Sequence, residues 1–271
     1  MKSRRSLAKE LPFRNAVSFT LARIHLGIGS EVVGKMFGLT ANNPKTLRSK
    51  VSFVFRRTLP IINKFFSKTV AQIPDLDQLD RDSHACFEDR DFANVMFILD
   101  ASNIRHDRPS RPGPNKHTYS DYYGGNCSKF ELVIGPDCLP LWVSYCFGAR
   151  ASEKSICVES NFEEFFAEFK KICVGGEGSA FPPDAMADKG TRMREIIEGL
   201  GAEYFCPSRG QEATYRDYLR NERIARARVH VERAIGSIKN CGILTNKMPW
   251  NLVYMTDDIL YAAVWMSHFV L

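Results

Sequence analysis

Apolar residues recur along this chain with two periods, and the change between them divides it. Val17, Leu21, Ile24 and His25 follow Phe13 at helical spacing until Gly27 and Gly29 stop the pattern. Ser30, with Glu31 behind it, predicts the cap of a short second helix through Val33 to Phe37, closed by Gly38. After a turn over Thr40 to Pro44, the stretch Lys45 to Leu59 reads as a third helix. It carries Leu47, Val51, Val54 and Phe55 inward and Lys45, Arg48, Lys50, Arg56 and Arg57 largely outward. Pro60 and the acidic run "IPDLDQLDRD" then mark a change of composition, and the domain boundary is placed there, giving modules 1–72 and 73–271.

Strand-like runs follow. "NVMFILDASNI" holds a short apolar run that ends in Asp100, and "KFELVIG" and "LPLWVSYCFG" form a hairpin around Pro136-Asp137-Cys138. Helical spacing returns in "NFEEFFAEFKKIC", with Phe162, Phe165, Phe166 and Phe169 on one side and Glu163, Glu164, Lys170 and Lys171 on the other. A brief strand ending in Asp188, Gly190, a helix from about Thr191 to Leu200 and a strand over Tyr204 to Cys206 complete an α/β pattern. Tyr215 to Lys239 reads as one long helix. Its apolar stripe is Ile224, Val231, Ile235 and Ile238, with Arg228, Glu232 and Lys239 along one border and Arg226, His230, Arg233 and Ser237 facing away. The expected architecture is a mixed sheet flanked by helices, preceded by a small all-α, helix-turn-helix-like module.

Composition narrows the choice. With 271 residues, 44% hydrophobic, a disordered chain or a coiled-coil rod is excluded. The longest apolar stretch, Ile259 to Leu271, is too short for a bilayer, and the first residues lack the apolar core of a secretory signal. Charge is unevenly spread: residues 1–72 hold 14 Lys/Arg and two acids, a net +12, against −6 for the remainder. A basic module on an acidic one suits a polyanion partner such as DNA; a merely solvated basic surface is the other reading. The eight cysteines form no C-x2-C pair and read as reduced thiols.

A carboxylate at the end of a buried strand is costly unless it is paired or binds a metal ion. Asp100 and Asp188 both have that position, where open α/β sheets hold their sites. Glu232 taken singly is an i, i+4 surface ion pair with Arg228. Taken with the two aspartates, it completes three carboxylates on three elements, the donor set for a pair of Mg²⁺ or Mn²⁺ ions.

In order, these motifs resemble the DDE superfamily transposases of the PIF/Harbinger type, including the catalytic regions that accompany THAP zinc fingers. The resemblance rests on "FILDASNI", "YCFGARASEKSI", "MADKGTRMREII" and "IARARVHVERAIGSIKNCGIL", the last carrying an R-x3-E-x6-K signature. It implies an RNase H-like fold in which Asp100, Asp188 and Glu232 are the catalytic, metal-binding acids. Two divalent ions would then drive in-line attack on a phosphodiester, with Arg228 and Lys239 positioning phosphate. Lys45, Arg48, Lys50, Arg56 and Arg57 would hold DNA. The same resemblance implies a homo-oligomer, a Myb-like partner protein and a place in the nucleus, with the cytoplasm as a second location. Glu153 replaces the Asp usual in the family's G-x-A-S-D-K stretch, and no metal-ligand role is assigned to it. The alternative function is a domesticated, catalytically inactive DNA-binding or partner-binding protein on the same fold.

Overall fold

A computed structural model describes residues 11–69, 85–87, 91–175, 183–188, 193–208 and 214–269, with the side chains of 173–175 set aside. The acidic run at 73–82, the bases of the first ten residues, Gly190 and Thr191 lie outside the described residues. The fold separates into two compact units. One comprises the described parts of Met1–Ala71, Ile104–Arg108 and Ser237–Leu271, the other those of Gln72–Asn103 and Pro109–Gly236. This grouping departs from a single cut near residue 72, because helices late in the chain pack on the early ones.

The first unit holds α1 (Phe13–Leu26), α2 (Ser30–Met36) and α3 (Pro44–Thr69). Its buried face on α1 is Ala16, Phe19, Thr20, Arg23 and Ile24, so the predicted stripe is rotated and His25 is exposed. Phe19 sets that phase by packing edge-on to Phe37 at 5.5 Å. Arg23 is drawn inward over the Phe55 ring, 4.5 Å from its centroid, and donates to Ser30 Oγ at 3.3 Å. Ser30 therefore serves Arg23 and does not cap α2, which starts after Gly29. Asn43 caps α3, its Oδ1 accepting from Thr46 N at 2.8 Å, with Pro44 in the first turn.

Pro60 does not end α3. The helix runs on to Thr69 because its apolar stripe continues through Leu59, Ile62 and Phe66, while Pro60 sits on the exposed side. A short α9 (Gly242–Thr245), a 3-10 turn (Trp250–Met255) and α10 (Thr256–Ser267) complete this unit, α10 packing on α3 and α9 on α1. Gly27, at φ 62° past the end of α1, meets Gly242 backbone to backbone. A Cβ on Gly27 would lie 2.2 Å from the Gly242 carbonyl carbon, so neither position has room for a side chain.

Among the described residues, the second unit is built on a sheet of seven strands: β1 (Val95–Arg105), β2 (Tyr119–Ser120), β3 (Gly125–Ile134), β4 (Pro140–Val143), β5 (Phe147–Gly148), β6 (Asp184–Ala187) and β7 (Tyr204–Phe205). Their order is β2-β3-β1-β6-β7, with β4 and β5 also antiparallel to β3; β1, β6 and β7 run parallel. The helices are α4 (Pro112–Thr118), α5 (Glu153–Glu159), α6 (Phe162–Gly175), α7 (Arg194–Gly199) and α8 (Tyr215–Lys239), whose residues from Ser237 on are grouped with the first unit. This is the mixed sheet flanked by helices that the sequence pattern predicts.

Against one face of the sheet, Phe162, Phe166 and Phe169 of α6 join Phe97, Leu99, Ala185 and Ala187 in a buried cluster with Met193 and Ile197. The ring centroids of Phe97 and Phe169 are 4.6 Å apart. Burial of this face fixes which side of β1 and β6 is turned away from the helix.

Candidate active site

The parallel register of β1 and β6 pairs Leu99 with Ala187, so the next step brings Asp100 beside Asp188 on strands about 4.8 Å apart. β1 continues past Asp100 to Arg105, which places this aspartate within the strand and corrects the strand-end position predicted for it. β6 stops at Ala187, and Asp188 follows it as predicted. β1 is apolar from Val95 to Leu99, and β6 is apolar from Ala185 to Ala187 after its first residue, Asp184. Asp100 and Asp188 mark where the buried run gives way to polar chemistry.

The third element is α8, whose bounds agree with the sequence reading. It is seated by Ile224, Ala227, Val231, Ala234, Ile235 and Ile238, all buried. His230 is buried too, its ring 6.4 Å from that of Phe87, and so does not face away with Arg226 and Arg233. Alanines at 227 and 234 widen the buried face beyond the branched residues that defined the predicted stripe.

Arg228 and Glu232 lie one turn apart on the border of that face. The Arg228 side chain is only 11% exposed and reaches all three acids. Nη1 donates to Asp188 Oδ1 at 3.0 Å, and Nη2 stands 3.9 Å from Asp100 Oδ1 and 3.8 Å from Glu232 Oε1. The structure thus brings together four of the predicted site residues, from β1, the end of β6 and α8. Lys239 is on the same helix seven residues after Glu232, in the part grouped with the other unit, and is not one of those four. Lys45, Arg48, Lys50, Arg56 and Arg57 are all on α3 of the other unit. There Arg48 pairs with Glu31 at 2.6 Å, Arg56 lies over Tyr254 and Arg57 over Phe53.

Burial raises the Asp100 carboxyl to about 6, against the pull of Arg228 and of the Ala101 amide, which donates to its Oδ1 at 2.9 Å. Glu232 and Asp188 add to the rise by like-charge repulsion. Three carboxylates are the oxygen donors that hard divalent ions prefer, and all three face one cationic group, so the donor set fits such ions. Among the described residues, no three His, Cys, Asp or Glu side chains are grouped closely enough to hold a metal ion as they stand.

Sequence reasoning overlooked one group near this site. Glu131 of β3 is fully buried, and neither carboxyl oxygen has a hydrogen-bond partner. Burial pushes its carboxyl well above the usual range, assisted by repulsion from Glu153 and Asp100. Lys129, two residues before it, pairs with Glu153 at 3.0 Å at the start of α5, where Ser152 provides the cap. The available signal was an acid in the middle of "KFELVIG", a run otherwise apolar after its lysine. The seven cysteines whose side chains are described are free thiols. No helix among the described residues is long and apolar enough to cross a membrane.

No curated protein and no solved structure matches this sequence in comparisons with known proteins. A family model described as DDE superfamily endonuclease matches residues 99–268. That span is more than half the chain and contains Asp100, Asp188, Arg228, Glu232 and Lys239, and the chain belongs to the DDE superfamily endonucleases.

Proposed function

We propose that this protein is a divalent-metal-dependent DNA endonuclease and strand transferase of transposon origin, of the PIF/Harbinger type, on an RNase H-like domain. The observation that carries the reading is the convergence of Asp100, Asp188 and Glu232 on one guanidinium, within the span of the nuclease family. Three parallel strands with an antiparallel meander on one side also suit an RNase H-like sheet.

In this reading Asp100, Asp188 and Glu232 hold Mg²⁺ or Mn²⁺. Such a pair of ions, when bound, supplies a nucleophile at neutral pH and neutralises charge on the leaving oxygen. The strand register sets the separation of the two aspartates, and α8 brings Glu232 to them from a separate element. Arg228 and Lys239 position the phosphate from one side of α8, acting on charge that develops during attack. Lys45, Arg48, Lys50, Arg56 and Arg57 on α3 hold flanking DNA through its phosphates, as part of a helix-turn-helix-like module. The protein works as a homo-oligomer with a Myb-like partner in the nucleus.

Nicking of supercoiled plasmid in Mg²⁺ or Mn²⁺ tests the activity. Cleavage by the wild type that disappears in Asp188→Asn is the expected result. DNA binding without cleavage favours a second reading, a DNA-binding protein that keeps the nuclease fold as a scaffold. The Arg228 contacts that engage all three acids are the observation on its side.

A further inference from the structure

Arg228 meets its three acids unevenly. Only the contact to Asp188, at 3.0 Å, has hydrogen-bond length; those to Asp100 and Glu232, at 3.9 and 3.8 Å, are ion pairs without a hydrogen bond. The Arg228 Nε is buried and has no hydrogen-bond partner. An arginine settled in a permanent structural pair presents two parallel N–H groups to one carboxylate and satisfies the rest of its fork. Here the group forgoes that geometry and stands in reach of three carboxylates at once, one positive charge before three negative ones. Its side chain is largely buried and that of Asp100 mostly so, while those of Asp188 and Glu232 are about half exposed, so these two acids are open to solvent ions and the guanidinium is enclosed.

We propose that Arg228 is a resident counter-cation: it holds Asp100, Asp188 and Glu232 in convergence when divalent ions are absent and gives up those contacts when the ions bind. This role rests on the nuclease reading above. Three acids on three elements, left facing one another alone, would repel and spread. One guanidinium limits that repulsion but leaves the site short of positive charge, which keeps it receptive to harder, more highly charged cations. Released from the acids, the Arg228 guanidinium remains beside the reaction centre, where a phosphate is its next partner.

Competition between the side chain and the ions is reciprocal, so removing one strengthens binding of the other. Titration of the full chain with Mn²⁺, followed by calorimetry, tests this in wild type, Arg228→Gln, Arg228→Lys and Glu232→Gln. Arg228→Gln is expected to bind Mn²⁺ about tenfold more tightly than wild type. Arg228→Lys, a point charge that spans fewer of the acids, falls between the two. Without metal, Arg228→Gln melts below wild type, and Mn²⁺ raises its melting temperature by more than it raises that of the wild type.

Equal Mn²⁺ affinity in wild type and Arg228→Gln, with weaker binding in Glu232→Gln, overturns the counter-cation role and leaves the nuclease reading in place. Absence of Mn²⁺ binding in every variant overturns both. Should Arg228→Gln fail to fold, Arg228→Lys decides: tighter binding than wild type supports the role, and unchanged or weaker binding overturns it.

Discussion

Within four residues, β1 passes from one kind of interior to another. Phe97, Ile98 and Leu99 are buried, and Phe97 and Leu99 lie in a cluster where Phe97 meets Phe165, Phe166 and Phe169 at centroid distances of 4.6 to 5.8 Å. At Asp100 the same strand enters a region where burial raises a carboxyl to about 6, a guanidinium nitrogen lacks a hydrogen-bond partner, and the Glu131 carboxyl on β3 is enclosed without any. The first region is dominated by apolar side chains in mutual contact. The second encloses polar groups it does not fully satisfy: Arg228 Nε and both Glu131 carboxyl oxygens lack hydrogen-bond partners.

The contrast can be broken most severely from the aromatic side. Phe97→Ala removes a fully buried ring from the centre of the cluster and is expected to cost about 3–5 kcal/mol, read from urea unfolding. On the acidic side the sign reverses. A carboxyl whose folded value lies above its unfolded one binds its proton more readily in the folded state, so its penalty is absent below about pH 4 and grows as pH rises toward and past 6. Asp100→Asn should therefore unfold at higher urea than wild type at pH 8, by about 3 kcal/mol, and lose that advantage near pH 4; if Asp100 holds a catalytic ion as proposed, it also loses cleavage at every pH. An advantage that does not depend on pH would mean burial is not what raises Asp100.

Glu131 sharpens the same point with a smaller effect. Exchanging it for Met removes two buried oxygens that lack partners, and a gain of about 1–3 kcal/mol is expected at neutral pH. Its carboxyl is also raised, so the gain should shrink as the pH is lowered. The smallest effect on folding falls outside both regions: Arg48→Ala breaks an exposed pair with Glu31 and should change stability by under about 1 kcal/mol. If α3 holds DNA, that variant also lowers the salt dependence of DNA binding by about one phosphate contact.

Much of this arrangement was legible in the residues. Asp100 and Asp188 stood out because an apolar run that stops at an acid needs a reason, and α8 because its period persists for 25 residues. Other parts depend on neighbours distant in sequence. The rotation of α1 is set by Phe37 and α3, and the burial of His230 by Phe87. Pro60 reads as a stop until the residues beyond it are seen to pack on α10. The position of Arg228 on the helix border could be read from its angle, but its reach to two strands could not. Spacing along one helix carries no information about which strand ends it meets.

The backbone contact of Gly27 with Gly242 bears on the order in which the protein can be made. α1 and α3 leave the ribosome early, while the α9 and α10 segments that close their core are synthesised roughly 10–40 s later at about 5–20 residues per second. Until then the face of α3 that α10 will cover has only water or a chaperone against it, and contacts so far apart in sequence close slowly. A side chain at Gly27 or Gly242 obstructs that last closure, so its first expected sign is a lower yield of folded chain during synthesis.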